Sequence, residues 1–263
     1  MVTPGVVINR LGELLQVHDA LYGVICRDAT LTDIELIAQS SYHVVWLDLE
    51  HSAQPAAEAI RLGRSIAHLG MVPLVRIPEL SRTHVQILLD GGFQVLVLPD
   101  VQDSQQAAEL VRLGRYPPLG QRGISTTGPG IGFDLGLDPE QTLRAANDAL
   151  SLLIMFESDR AYEQLDSILE VEGIDIVAVG PSDWSISLGL FGAERLKQLA
   201  PRIDRVLSKA STAGKLTAMP VASTDEASRY RSLGVRLFFV GVDVALKRNA
   251  LRDTLARYRD VLG

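Results

Sequence analysis

The sequence predicts a (β/α)8 barrel, with residues 1–263 forming one domain. Three observations carry that prediction: eight short apolar runs, helix-period stretches between them, and glycines where those stretches stop. The runs are LYGVICRD (21–28), VVWLDLE (44–50), MVPLVRI (71–77), QVLVLPD (94–100), SLLIMFES (151–158), IDIVAVGP (174–181), LTAMPVA (216–222) and VRLFFVGVD (235–243). They are near-continuously apolar rather than alternating, as parallel strands buried on both faces require.

Helix periodicity covers 54–68, 81–90, 104–114, 159–171, 193–213 and 223–233, and a further helix at 8–18 is expected to close the barrel bottom. Gly70, Gly91, Gly92, Gly173, Gly214 and Gly234 stand just before strands, where a helix must stop and turn. The runner-up is a doubly wound open sheet, but no strand-linked GxGxxG or Walker sequence supports it. Residues 115–137 form one long irregular stretch with six glycines and three prolines. It reads either as a surface loop or as a lid over the barrel mouth.

Composition excludes several classes of function. The net charge is −7 with no Lys/Arg cluster, so nucleic acid and anionic membrane surfaces are not expected partners. One cysteine, Cys26, can neither staple the fold nor build a CxxC metal site. No apolar run reaches membrane-spanning length and no signal-peptide pattern opens the chain, so a soluble, cytoplasmic protein is expected.

Barrel enzymes place their chemistry at the carboxyl ends of strands. Those ends carry Asp28; Asp48, Glu50 and His51; Arg76; Asp100; Glu157; Asp183; and Asp243. Strand ends also carry helix caps, so the set says more than any one member. Glu157 and Asp183 end neighbouring strands, which lie about 4.8 Å apart. Both can reach one hard divalent ion, Mg²⁺ or Mn²⁺, with water or substrate oxygens completing it. The bland reading pairs Glu157 with Arg160 and makes Asp183 a helix cap. His51 is a candidate acid/base, and the bland alternative is a surface histidine. Arg76 is a fork for a carboxylate or an enolate oxygen, or else the partner of Glu50 or Asp100. His18, His43, His68 and His84 fall away from the mouth. None of Lys197, Lys209, Lys215 and Lys247 occupies a strand's carboxyl end, so a Schiff-base mechanism is not expected. If an enolate forms, a metal must stabilise it.

WLDLEHS (46–52), PLVRIP (73–78), LLDGG (88–92), RYPPLGQRG (115–123), MFES (155–158) and VGPSDWSISLG (179–189) together resemble the HpcH/HpaI aldolase family. These are metal-dependent class II pyruvate aldolases, similar to 4-hydroxy-2-oxoheptanedioate and 2-keto-3-deoxy-sugar-acid aldolases. The resemblance implies reversible cleavage of a 2-keto-4-hydroxy acid to pyruvate and an aldehyde. It implies a divalent metal (Mg²⁺ or Mn²⁺, with Co²⁺ possible) on Glu157 and Asp183, and His51 as acid/base polarised by Asp48. It further implies that Arg76 grips pyruvate and that backbone amides around Gly180, Pro181, Ser182 and Asp183 hold the pyruvate carboxylate. Asp90 would act in a neighbouring subunit's site. A hexamer with exchanged C-terminal helices is implied too, and the stripe Ala245, Leu246, Ala250, Leu251, Leu255 and Tyr258 suits that packing, as it suits ordinary core packing.

Three positions depart from the family pattern: Leu49 where Gly is frequent, Met155 where Gln is common, and Trp184 where Leu is usual. Leu49 is expected to crowd the mouth. Two other readings remain open: a citrate-lyase-β or malyl-CoA-type thioester lyase, which would want more basic residues for the CoA phosphates, and a barrel drifted to a non-enzymatic role. Arg122 and the glycine-rich stretch are further candidates for a distal carboxylate or phosphate.

Overall fold

The structure, a computed structural model, describes residues 8–262 except 135, 137 and 193, and leaves the side chain of residue 260 undescribed. Parts of the expected stretches 115–137 and 193–213 therefore lie outside the described residues. Eight strands close into a barrel in sequence order: β1 (Leu21–Cys26), β2 (Val44–Asp48), β3 (Val72–Arg76), β4 (Val95–Leu98), β5 (Ser151–Phe156), β6 (Ile176–Val179), β7 (Leu216–Pro220) and β8 (Leu237–Val242). All pairings are parallel, including β8 with β1.

The helices are α1 (Arg10–Val17), α2 (Leu31–Gln39), α3 (Ala56–His68), α4 (Arg82–Asp90), α5 (Ser104–Gly114), α6 (Pro139–Ala149), α7 (Asp159–Glu163), α8 (Leu165–Leu169), α9 (Pro181–Ser187), α10 (Arg195–Thr212), α11 (Thr224–Ser232) and α12 (Asp243–Leu262). The expected stretch 159–171 is two short helices broken at Gln164. No described helix is long and apolar enough to cross a membrane.

The doubly apolar strands sort their side chains by parity. One cluster fills the barrel: Leu21, Val44, Trp46, Val72, Leu74, Val95, Val97, Leu153, Met155, Ile176, Ala178, Leu237 and Phe239. Leu11 and Leu14 of α1 join it, so α1 plugs the bottom as expected. The opposite faces, with Val45, Leu47, Val75, Leu96, Ile154 and Val177 among them, pack against the helices in a second cluster. Phe239 lies edge-on to Trp46 at 4.7 Å and fills the space beside Gly23, where a Cβ would stand 2.7 Å from its ring.

Parity also decides what faces the mouth. One step beyond Trp46, Leu74, Met155 and Ala178 on the inner face come Asp48, Arg76, Glu157 and Gly180. Leu49 has the opposite parity: it lies in the outer cluster, and its N–H donates to the Arg76 carbonyl. The expectation that it crowds the mouth is therefore corrected. Met155 is inward-facing and forms part of the floor.

The lid expectation for 115–137 is corrected as well. That stretch follows α5 and precedes α6, so its described residues lie at the amino end of the strands. Pro129 stands against Gly92, and Gln86 accepts from the Gly123 amide while donating to its carbonyl. Arg122 is buried there, paired with Asp90 at 2.9 Å and stacked on Tyr116.

Candidate active site

Helix caps separate the bland strand-end residues from the others. Ser81, Asp103, Ser158 and Ser223 cap α4, α5, α7 and α11 with their side chains. Asp243 accepts from the amides of Arg27, Asp28 and Val244, tying the end of β1 to the start of α12. Asp48, Arg76 and Glu157 cap nothing, yet all three are buried at the mouth. Asp183 lies in the first turn of α9 without capping it.

Asp48 and Arg76 are register partners on β2 and β3. Arg76 Nε donates to Asp48 Oδ1 at 2.9 Å and Nη2 to Oδ2 at 2.6 Å, while Nη1 pairs with Glu50 Oε2 at 2.7 Å. Burial opposes ionisation of Asp48, but Arg76 and the amides of His51 and Glu50 hold its carboxyl below the usual range. Of the two partners expected for Arg76, Glu50 is confirmed. Asp48 takes the place expected of Asp100. Asp48 reaches His51 through the His51 backbone N–H at 3.3 Å, whereas the half-exposed imidazole has Nε2 3.7 Å from Glu50 Oε2. The expected Asp48–imidazole polarisation is thus replaced by a backbone anchor.

Across the barrel, Glu157 Oε2 accepts from the Asp100 amide at 2.8 Å. Asp100 holds a left-handed φ of 41° at this contact. Glu157 Oε1 is buried and makes no hydrogen bond among the described residues. Arg160 pairs instead with Asp103, so the bland reading of Glu157 fails. Burial, with Asp183 and Glu50 adding to it, pushes the Glu157 carboxyl up to about 7. A buried carboxylate with one oxygen unpaired is costly unless a proton or a cation meets it.

No described group of three or more His, Cys, Asp or Glu side chains is placed to hold a metal by itself. Glu157 and Asp183 could supply two oxygen ligands of a hard divalent cation and leave the remaining positions to water and substrate. The orphaned Oε1 fits that group. Gly180 makes room for it, since a Cβ there would stand 1.9 Å from Oε1. The Gly180 N–H is already donated to the Phe156 carbonyl, and Pro181 has none. Of the amides expected around Gly180, Pro181, Ser182 and Asp183 to hold a carboxylate, that of Gly180 is thus corrected; Pro181 was expected to offer none, and those of Ser182 and Asp183 remain.

Asp90 is not brought to this mouth: it ends α4 at the opposite end of the barrel, beside Arg122. Two features escaped the sequence. Arg27 follows β1 with Nε 3.4 Å from Asp48 Oδ2 and a half-exposed side chain. Trp184 is fully buried, and its indole Nε1 donates to Asp159 Oδ1 at 2.8 Å; Asp159 is also paired with Arg202 at 3.1 Å. The signal for Arg27 was the alternation of β1 carried two residues past Ile25. For Trp184 it was the departure from Leu, which marked the position without giving its partner.

A closed barrel that gathers a buried arginine, a histidine and two carboxylates from neighbouring strands at one mouth is built as an enzyme. The sequence profile of the HpcH/HpaI aldolase/citrate lyase family matches residues 27–250, and the chain belongs to that family. It is 33% identical over 252 residues to the hydroxypyruvate/pyruvate aldolase of Delftia acidovorans, covering 95% of this chain and 93% of the relative. It is 32% identical over 253 residues to the 2-keto-3-deoxy-L-rhamnonate aldolase of Salmonella gallinarum, covering 96% and 94%. The crystal structure of an HpcH/HpaI aldolase/citrate lyase family protein from Burkholderia cenocepacia superposes with a TM-score of 0.86 at 30% identity, covering 96% of this chain and all of that one.

Proposed function

We propose that the protein is a class II pyruvate aldolase that reversibly cleaves a 2-keto-4-hydroxy acid to pyruvate and an aldehyde. The observation that carries the reading is the buried, unpaired Oε1 of Glu157, on the strand next to the one leading to Asp183 and across the mouth from Arg76. A divalent cation such as Mg²⁺ or Mn²⁺, held by Glu157 and Asp183, would supply Lewis-acid stabilisation of a pyruvate enolate.

In cleavage, the C4 hydroxyl loses its proton toward His51, and the C3–C4 bond breaks. Its electron pair passes to C3 as the aldehyde leaves and the enolate forms; protonation at C3 completes pyruvate. Arg76, fixed by Asp48 and Glu50, retains N–H groups for a substrate oxygen. The Ser182 and Asp183 amides, in the first turn of α9, would receive the pyruvate carboxylate.

The test is proton NMR of the pyruvate methyl signal in D₂O with Mg²⁺ or Mn²⁺, then EDTA. Loss of the signal that depends on metal is expected; no exchange with either metal in folded protein would overturn the reading.

The assembly is read as a hexamer with exchanged C-terminal helices, in which Asp90 serves a neighbouring mouth. In support, every described side chain from Leu246 to Arg259 is exposed, Leu251, Leu255 and Tyr258 among them. Lys247 ties the start of this span to Asp33 at 3.0 Å, and a helix that buries no described side chain beyond it is marginal in water. Sedimentation of Leu251→Glu with Leu255→Glu should give a smaller species than the unsubstituted chain; an unchanged sedimentation coefficient would remove the helix from the interface.

A further inference from the structure

We propose that Arg27 is the acceptor-side anion receptor of this mouth, so that the aldehyde half of the substrate carries a carboxylate or a phosphate. The inference rests on the aldolase reading above and deepens it by naming the substrate class.

Two arginines serve the mouth, and their states differ. Arg76 is buried with all three of its nitrogens engaged by Asp48 and Glu50. The Arg27 side chain is 42% exposed; Nε approaches Asp48 at 3.4 Å and the guanidinium makes no hydrogen bond among the described residues. Asp48 itself is fully buried, so it holds Arg27 from beneath by the Nε edge while much of the Arg27 side chain stays open to solvent. The backbone beneath Arg27 is fixed, because Asp243, itself buried, accepts from the Arg27 and Asp28 amides at 3.1 Å each. A guanidinium fork held by one edge and open at the other suits a two-point bond to a carboxylate or phosphate.

Position in the ring assigns Arg27 to the acceptor. Glu157 and Gly180–Asp183 follow β5 and β6, whereas Arg27 and His51 follow β1 and β2, about half a turn away. The enolate belongs beside the first group, and the aldehyde oxygen belongs beside His51. Arg27 is therefore on the side where the acceptor's far end lies. The charges across the ring point the same way: Asp100, Glu157 and Asp183, after β4, β5 and β6, would repel an anionic acceptor there. Arg122, the other cation considered for this task, is buried with Asp90 at the opposite end of the barrel.

The test compares succinic semialdehyde, glyceraldehyde 3-phosphate and uncharged propanal as acceptors for pyruvate, with wild-type protein, Arg27→Met and Arg27→Lys. The wild type is expected to prefer one anionic acceptor over propanal by kcat/KM, and which one distinguishes carboxylate from phosphate. Arg27→Met should lower that preference by about 10- to 100-fold, the worth of a charge-assisted hydrogen bond. Arg27→Lys, which keeps a cation beside Asp48, should recover part of it. The same anion-to-neutral ratio in all three proteins, or a wild type that prefers propanal, overturns the assignment. A calorimetric titration of succinate and of inorganic phosphate in EDTA runs alongside and needs no turnover. Weaker binding of one of them by Arg27→Met is expected, and equal binding overturns the proposal. Pyruvate methyl exchange reads the aldolase activity separately, since it involves no acceptor.

Discussion

A methyl group on Gly180 would stand 1.9 Å from Glu157 Oε1, so the carboxylate after β5 fills the volume that a side chain at the end of β6 would need. The two strand ends are built as one unit, and glycine is the residue that lets a buried carboxylate close against the neighbouring backbone. Gly180→Ala must push Glu157 off its Asp100 amide. It should cost about 1–3 kcal/mol of stability through overpacking and about 100-fold in turnover through misplacement of the carboxylate. Manganese binding followed by electron paramagnetic resonance and a thermal melt separate the two effects. Unaltered metal binding would mean that Glu157 Oε1 is not a ligand.

The same carboxylate sets a pH dependence. In the metal-free fold Glu157 is raised from 4.5 to about 7, chiefly by burial. The folded protein then holds this proton more tightly than the unfolded chain. The resulting stabilisation is full below about 4.5, the unfolded value, and is lost as pH rises to about 7. The loss amounts to about 3 kcal/mol. Urea unfolding of metal-free wild type and Glu157→Gln between pH 5 and pH 8 should therefore show the wild type losing ground as pH rises. A cation competes with the same proton, so Mn²⁺ affinity should climb with pH and level off above about 7. A pH-independent difference between the two proteins would show that Glu157 titrates normally.

The barrel was legible because its pattern is repetitive: eight doubly apolar runs admit few arrangements other than a closed parallel sheet. Even the plug helix with Leu11 and Leu14 could be read. Asp48, Arg76 and Glu157 were legible for the same reason, since alternation continues one step past the strand, although the same step past Ile25 leads to Arg27 and the sequence reading stopped at Asp28. What could not be read were relations crossing the ring or the chain. Asp48, three residues before His51, was implied by the resemblance to polarise the imidazole, but strand register gives Asp48 to Arg76. The glycine-rich stretch could be read as a lid over the mouth, but α5 precedes it and carries its described residues to the other end. Backbone commitments were invisible too: the Gly180 N–H is donated to the Phe156 carbonyl, a bond between strands that no local pattern encodes.

Removal of Arg76 tests that register pair. Asp48 is fully buried, and Arg76→Met would leave it with backbone amides and the more distant Arg27. An uncompensated buried carboxylate costs about 3–5 kcal/mol. Asp48→Asn should cost less, because Arg76 keeps Glu50 at 2.7 Å and the asparagine keeps the shape. The order of the two variants in urea unfolding is the check: Asp48→Asn less stable than Arg76→Met would place the stabilisation elsewhere. Arg76→Lys should restore neither stability nor turnover fully, since one ammonium cannot reproduce the fork that spans Asp48 and Glu50.

Trp184 ties the two carboxylate-bearing loops together. It follows Asp183 directly, and its indole N–H reaches Asp159, two residues past Glu157 and held in turn by Arg202. The bond thereby sets the spacing between Glu157 and Asp183 without touching substrate, which makes Trp184 a positioning residue. Trp184→Phe keeps the ring against Tyr162 and removes the donor. Asp159 is partly exposed and keeps Arg202, so the loss of stability should be only about 1 kcal/mol. Metal affinity should nevertheless fall about tenfold, as when an outer partner of a ligand is lost. Asp159→Asn, which still offers an oxygen to the indole, should fall less. Manganese titration reads this without substrate: if Trp184→Phe binds Mn²⁺ as the wild type does while melting lower, Trp184 only fills the core.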